Sequence, residues 1–152
     1  MSAEPTLFVI DDDRAFQILI QRAFAMSQCT LPIVTAHDGV DALERLRSSE
    51  PDRRVAPPFV ILLDLRMPRM DGFEFLQNLR NDADLQNSIV FILSTSESER
   101  DRTEAYRLNA TGYLVKPMEF EDLVRRMGMV AEFARTVELP GAAPYDFPGI
   151  RG

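Results

Sequence analysis

The sequence predicts an α/β fold, a doubly wound five-stranded parallel sheet with helices on both faces. Two observations predict it. Five short apolar runs alternate with five segments of helical spacing, and strand–helix repeats of that kind close into a parallel sheet through right-handed crossovers. One of the runs, Phe59–Leu63, is apolar at every position, as a central strand covered on both faces must be.

Taken in order, Leu7–Ile10 reads as a buried first strand. Arg14–Ser27 has helical spacing, with Phe16, Leu19, Ile20, Ala23 and Phe24 on one face. Leu31–Ala36 is a short second strand and Asp38–Leu46 a second helix. Ser48–Pro58 holds three prolines and the pair Arg53-Arg54, the composition of a solvated loop. Phe59–Leu63 is the third strand, and Phe73, Phe75, Leu76 and Leu79 belong to a third helix. Ile89–Leu93 is the fourth strand. Glu97–Leu108 is polar with few apolar positions, so this helix should pack lightly. Thr111–Val115 is the fifth strand. Glu119–Val137 is the last helix, weakened at Gly128 by the poor helix propensity of glycine. The domain is expected over residues 1–137. Residues 138–152, with three prolines and three glycines, read as a flexible or partner-docked tail with no output domain.

Composition narrows the function classes. A chain of 152 residues fits one domain with a substantial core. Its net charge of −7 repels nucleic acid backbones. No apolar run approaches the roughly 18 residues of a membrane span, and Met1–Pro5 lacks the basic start of a signal peptide. Cys29 is the single cysteine, which points to a reducing cytoplasm and to a small apolar packing role.

Chemistry concentrates at strand ends. Asp11 and Asp12 follow the first strand, Asp64 the third, Ser94 the fourth and Lys116 the fifth. In open parallel sheets these carboxyl ends form the functional edge. Three carboxylates in one cleft repel each other and resist ionisation unless a cation joins them. A hard divalent ion such as Mg²⁺, which takes oxygen ligands and suits phosphate chemistry, meets that need. One carboxylate can then act as a nucleophile towards phosphorus, with the lysine holding the transferred group. Alone, Asp64 would be a turn residue, Lys116 a solvated cation and Ser94 a strand-end hydroxyl. Their joint placement is what carries the reading. Asp13 is expected to be a helix N-cap.

The order Asp11-Asp12, Asp64, Leu93-Ser94-Thr95 and Tyr113-Leu114-Val115-Lys116-Pro117 resembles the receiver domain of two-component response regulators. So does Asp64-Leu-Arg-Met-Pro68-Arg-Met-Asp71-Gly72, and the spacings of thirty positions from Asp64 to Ser94 and fifty-two to Lys116 agree. The resemblance spans about residues 6–137. It implies a flavodoxin-like sheet of strand order 2-1-3-4-5. It implies that Asp64 accepts a phosphoryl group from the phosphohistidine of a sensor histidine kinase. Asp12 would bind Mg²⁺ (or Mn²⁺) directly, Asp11 through water, and Arg66 through its backbone carbonyl. Lys116 would pair with the phosphoryl group, the Lys116–Pro117 bond would be cis, and Ser94 and Tyr113 would form the switch. Arg66 and Ser96 stand where receivers tune phosphoryl lifetime. Partners would be the kinase and a downstream protein or phosphorelay component, with no nucleic acid and no membrane. The readout surface would be the fourth helix, fifth strand and fifth helix.

A narrower resemblance is to small receivers paired with phytochrome-type kinases. It rests on Ser96-Glu-Ser-Glu-Arg-Asp-Arg102, Ala105-Tyr-Arg-Leu-Asn-Ala110, Phe133, Val137-Glu-Leu-Pro140 and the proline-containing loop before Phe59. The Phe-Trp usual near the end of the last helix is Phe133-Ala134 here. This resemblance implies a homodimer through the readout surface, with Phe133 and Leu139 packing either across it or on their own core. Two other classes compete. Asp11-Asp12-Asp13 could serve a haloacid-dehalogenase-like phosphatase with Asp11 as nucleophile, but that pattern wants Thr or Val where Ala15 stands and leaves Asp64 unexplained. A binding module that kept the fold without phosphorylation would have no use for the full acid and lysine set. His37, beside Asp38 and Gly39, reads as a turn or capping residue.

Overall fold

The computed structural model describes residues 4–141. Ten elements alternate along the chain: β1 (Thr6–Ile10), α1 (Arg14–Met26), β2 (Ile33–Ala36), α2 (Gly39–Arg47), β3 (Phe59–Leu63), α3 (Gly72–Asn81), β4 (Ile89–Ser94), α4 (Glu99–Arg107), β5 (Gly112–Val115) and α5 (Phe120–Thr136). The five strands form one parallel sheet in the order β2-β1-β3-β4-β5. The expected fold class and strand order are those observed.

Alternation along each central strand builds two cores. Phe8, Ile10, Ile61, Leu63, Val90 and Ile92 point to the face covered by α2, α3 and α4. Leu7, Val9, Val60, Leu62, Phe91 and Leu93 point to the face covered by α1 and α5. Strands covered on both faces are apolar almost throughout, which is why β1, β3 and β4 read as near-continuous runs, with Thr6 at the start of β1 and Ser94 at the end of β4 the polar positions. The edge strands β2 and β5 are mostly half-buried. Four helices start on a side-chain cap: Asp13, Asp38, Asp71 and Ser98 each accept a backbone N–H in the first turn. No helix among the described residues is long and apolar enough to cross a membrane.

Several expectations shift. The buried face of α1 includes Gln17, whereas Leu19 is exposed. The reason is hydrogen bonding: the Gln17 amide donates to the carbonyls of Asp11 (2.6 Å) and Ala36 (3.0 Å), closing the ends of β1 and β2. β2 starts at Ile33 rather than Leu31, because Pro32 has no N–H to give and serves the sheet only through its carbonyl, which accepts from Leu7. α4 starts at Glu99, two residues later than expected and directly after its Ser98 cap, and buries little beyond Asp101 and Ala105. α5 continues through Gly128. The cis peptide bond among the described residues is Pro57–Pro58, not Lys116–Pro117. Phe133 packs edge-on against Phe91 at 5.1 Å between ring centres, and Leu139 joins the same core. Both therefore close their own domain. Of the expected tail, Leu139–Gly141 lie against the body of the domain, Gly141 next to Pro57, and residues 142–152 fall outside the described residues.

Candidate functional site

The sheet register assembles the site. Ile10 lies beside Leu63 in the β1–β3 pair, so Asp11 and Asp64 leave adjacent strands at the same level, and the Asp64 N–H donates to the Ile10 carbonyl at 2.9 Å. Ser94, the last residue of β4 rather than the first after it, lies two positions beyond Ile92, which pairs with Leu63. The Lys116 N–H donates to the Ser94 carbonyl at 2.7 Å, bringing the end of β5 to the same edge.

Oxygens of Asp11, Asp12 and Asp64, one from each, lie within 4.8 Å of one another. Asp12 is exposed and the other two are buried. The Lys116 ammonium is 2.8 Å from Asp11 Oδ2 and 3.7 Å from Asp64 Oδ1, and lies 4.3 Å from the centre of the Phe16 ring, a cation–π contact. One lysine cannot neutralise three acids. Burial, then the neighbouring Asp11 charge, raise Asp64 to about 6 against the pull of Lys116. Burial also raises Asp11, although the Lys116 ammonium and the Asp13 N–H bonded to it both act to lower it. An all-oxygen donor set still short of positive charge fits a hard divalent cation.

The loops around the acids are fixed by close packing. A Cβ on Gly72 would come 2.4 Å from the Asp64 carbonyl oxygen, so only glycine lets α3 start this close to the acid. Arg69, in the left-handed region at φ 65°, turns its guanidinium onto Asp38 at 2.7 Å. Asp38 caps α2 and is nearly buried. Burial alone would raise its carboxyl, but the Asp41 N–H and the Arg69 guanidinium together hold it below the usual carboxylate range. This loop anchor was not visible in the sequence, where Arg69 looks like one more surface cation.

Ser94 is fully buried, and its Oγ accepts the Ser96 N–H at 3.2 Å. Tyr113 is half-buried and donates its hydroxyl to the Ser96 carbonyl at 2.9 Å. Arg66 is exposed, with its guanidinium on Asp101 at 2.7 Å. Asp13 caps α1 by accepting from Phe16, and its carboxylate is not one of the three that converge. His37 is exposed, with ring nitrogens 3.4 Å from Asp41 and 3.8 Å from Asp38. Residues overlooked in the sequence are Gln17, Phe16 as a partner of Lys116, Arg69 and Asp101. Only Asp101 carried a signal, standing three positions after the cap Ser98.

Comparison with known proteins agrees with this geometry. Residues 7–128 match the family model of the response regulator receiver domain. The chain is 38% identical over 127 residues to the probable methanogenesis regulatory protein FilR2 of Methanothrix harundinacea, covering 84% of this chain and 81% of that one. It is 35% identical to the response regulator MprA of Mycobacterium ulcerans and spans 47% of that protein's length. Among solved structures it is similar to the phosphorylated cyanobacterial phytochrome response regulator RcpA, with a TM-score of 0.81, 33% identity, and coverage of 91% of this chain and 99% of that one. The Mn²⁺-bound form of response regulator Rcp1 gives a TM-score of 0.77 at 29% identity, covering 90% and 99%. A doubly wound sheet whose carboxyl edge holds three acids, a serine and a lysine, over a stretch matched almost throughout by one family model, places this chain in the response regulator receiver domain family.

Proposed function

We propose that this chain is a signalling acceptor that takes a phosphoryl group on Asp64 from the phosphohistidine of a sensor histidine kinase and changes its partner-binding surface in response. The observation that carries the proposal is the placement of Lys116 3.7 Å from Asp64 within the acid trio. In the transfer, an Asp64 carboxylate oxygen bonds to phosphorus as the bond from phosphorus to the histidine nitrogen breaks, and the imidazole leaves. Lys116 would hold a phosphoryl oxygen, with its ammonium kept in place by Asp11 and the Phe16 ring. Ser94 would donate its hydroxyl to another. The chain would turn over nothing else beyond slow loss of its own phosphate.

Asp11, Asp12, Asp64 and the backbone carbonyl of Arg66 would hold Mg²⁺ or Mn²⁺. The bound ion would supply positive charge to the crowded acids and to the transferred group. Tyr113, tied to the loop after Ser94, would carry the change to the surface of α4, β5 and α5. We assign the homodimer contact and the docking of a downstream protein or phosphorelay partner to that surface. β5 is a half-buried edge there, and Tyr106 and Val137 are exposed nearby. The likeness to RcpA supports a phytochrome-type kinase as donor. A single half-buried cysteine suits a cytoplasmic protein.

The test is phosphorylation by a small acyl phosphate with Mg²⁺, read by intact mass and hydroxylamine sensitivity. One phosphoryl group, absent in Asp64→Asn and absent when Mg²⁺ is chelated, is the expected result. Phosphate retained in Asp64→Asn but lost in Asp11→Asn would overturn the assignment in favour of a phosphatase using Asp11.

A further inference from the structure

α4 starts on a rerouted cap. Ser98 is the N-cap and Asp101 stands three residues on, the spacing at which an acidic side chain reaches back to the cap's own N–H. Here the Ser98 N–H donates to Ser96 Oγ (3.2 Å), and the Ser96 hydroxyl donates to Asp101 Oδ2 (2.6 Å). The same oxygen accepts Arg66 Nη2 at 2.7 Å. Ser96 also bonds through its backbone, its N–H to Ser94 Oγ and its carbonyl to the Tyr113 hydroxyl. One carboxylate thus ties the loop after Asp64 to the first turn of α4 and, through Ser96, to Ser94 and Tyr113. The Asp101 side chain is 12% exposed and that of Arg66 63%.

We propose that Asp101 is a positioning residue that holds Arg66 on the α4 side of the site, and that a phosphoryl group on Asp64 draws Arg66 off it and loosens the first turn of α4. The inference rests on Asp64 being the phosphoacceptor. A phosphoryl group carries about −1.5 to −2 charge and three acceptor oxygens, more than one carboxylate offers. A guanidinium matches phosphate with two parallel hydrogen bonds. Arg66 is two residues from Asp64 and mostly in water, so it is free to change partners. Asp101 is not stranded when Arg66 leaves, because it keeps the Ser96 hydroxyl and the positive end of the helix dipole. Asp101 and the phosphoryl group therefore compete for one cation, and the coupling acts in both directions.

Fluoroberyllate with Mg²⁺, a phosphoryl mimic, tests this on the full chain. Asp101→Asn should bind it about three- to tenfold more tightly and Arg66→Gln more weakly by a similar factor. In the Arg66→Gln background, Asp101→Asn should change affinity by less than about twofold. Hydrogen exchange at the amides of Ser98–Arg102 should quicken in the wild type on fluoroberyllate binding. In Arg66→Gln, a change at a side chain that is 63% exposed, it should be fast beforehand and respond no further. Ser98→Ala, which removes only the cap, should quicken exchange without changing affinity. Equal affinity of Asp101→Asn and wild type, or an equal effect of Asp101→Asn in both backgrounds, overturns the inference and leaves the phosphoacceptor reading intact. So does a first turn in Arg66→Gln that still responds to the ligand. No fluoroberyllate binding by the wild type overturns both.

Discussion

Lys116 is bonded to Asp11, at 2.8 Å, and lies 0.9 Å further from the phosphoacceptor candidate Asp64, at 3.7 Å. The lysine is therefore held by one of the three acids that converge at the site. On the proposed function it would compete with a divalent cation for Asp11 and stand ready to meet a phosphoryl group on Asp64.

Removing this competitor should separate the two roles. Lys116→Met is expected to bind Mg²⁺ several-fold more tightly, because Asp11 and Asp64 lose their resident counter-charge. The same variant should lose fluoroberyllate binding by at least about tenfold, since the held oxygen has no partner. Titration calorimetry with each ligand checks both arms. Weaker Mg²⁺ binding in Lys116→Met would contradict the competition.

The acid site should make metal-free stability fall as pH rises. Asp64 sits at about 6 in the folded chain against an ordinary 3.8. Between those values the folded state keeps a proton that the unfolded state has lost, so stability is greatest below the window and declines through it. Asp11 is raised as well and acts in the same direction. For Asp64 the loss amounts to about 3 kcal/mol once pH passes its folded value. Urea unfolding in chelator at pH 4.5 and 7 should show it. Asp64→Asn should flatten the dependence, and saturating Mg²⁺ should reverse it.

Gly72→Ala forces a methyl group to within 2.4 Å of the Asp64 carbonyl oxygen and 2.8 Å of the Leu65 Cα. Both obstacles are backbone, so the loop must shift. A cost of about 1–3 kcal/mol is expected. Phosphorylation of Asp64 should slow by at least about tenfold, because displacement of the nucleophile by a fraction of an ångström spoils the transfer geometry. Thermal melts and phosphorylation time courses measure the two effects separately.

Arg80 provides a contrast far from the acids. Its guanidinium donates to the carbonyls of Leu108, Gln86, Ser88 and Asn109 at 2.7–2.9 Å, joining α3 to the turn after α4 and the loop before β4. Arg80→Met should cost about 2–3 kcal/mol by leaving those carbonyls without their donor. Phosphorylation well below the melting temperature should be unchanged. A slowed phosphorylation at full folding would show that these loops reach the site.

Much of the molecule was legible in the chain itself. Unbroken apolar runs at Leu7–Ile10, Phe59–Leu63 and Ile89–Leu93 announce central parallel strands, because strands covered on both faces are apolar almost throughout, with the buried Ser94 at the functional end of β4 as the exception. The parallel sheet then delivers Asp11, Asp12, Asp64, Ser94 and Lys116 to one edge, which is why positions a hundred residues apart could be read as one site. Folding decided the partners. Lys116 chooses Asp11, Arg69 turns to Asp38, Arg66 turns to Asp101, and Gln17 spans the ends of two strands. Periodicity and capping are local and repeat along the chain, so they leave a pattern in sequence. The pairing of long charged and amide side chains depends on which unsatisfied group from another element lies within hydrogen-bonding reach, and only strand register and helix packing set that.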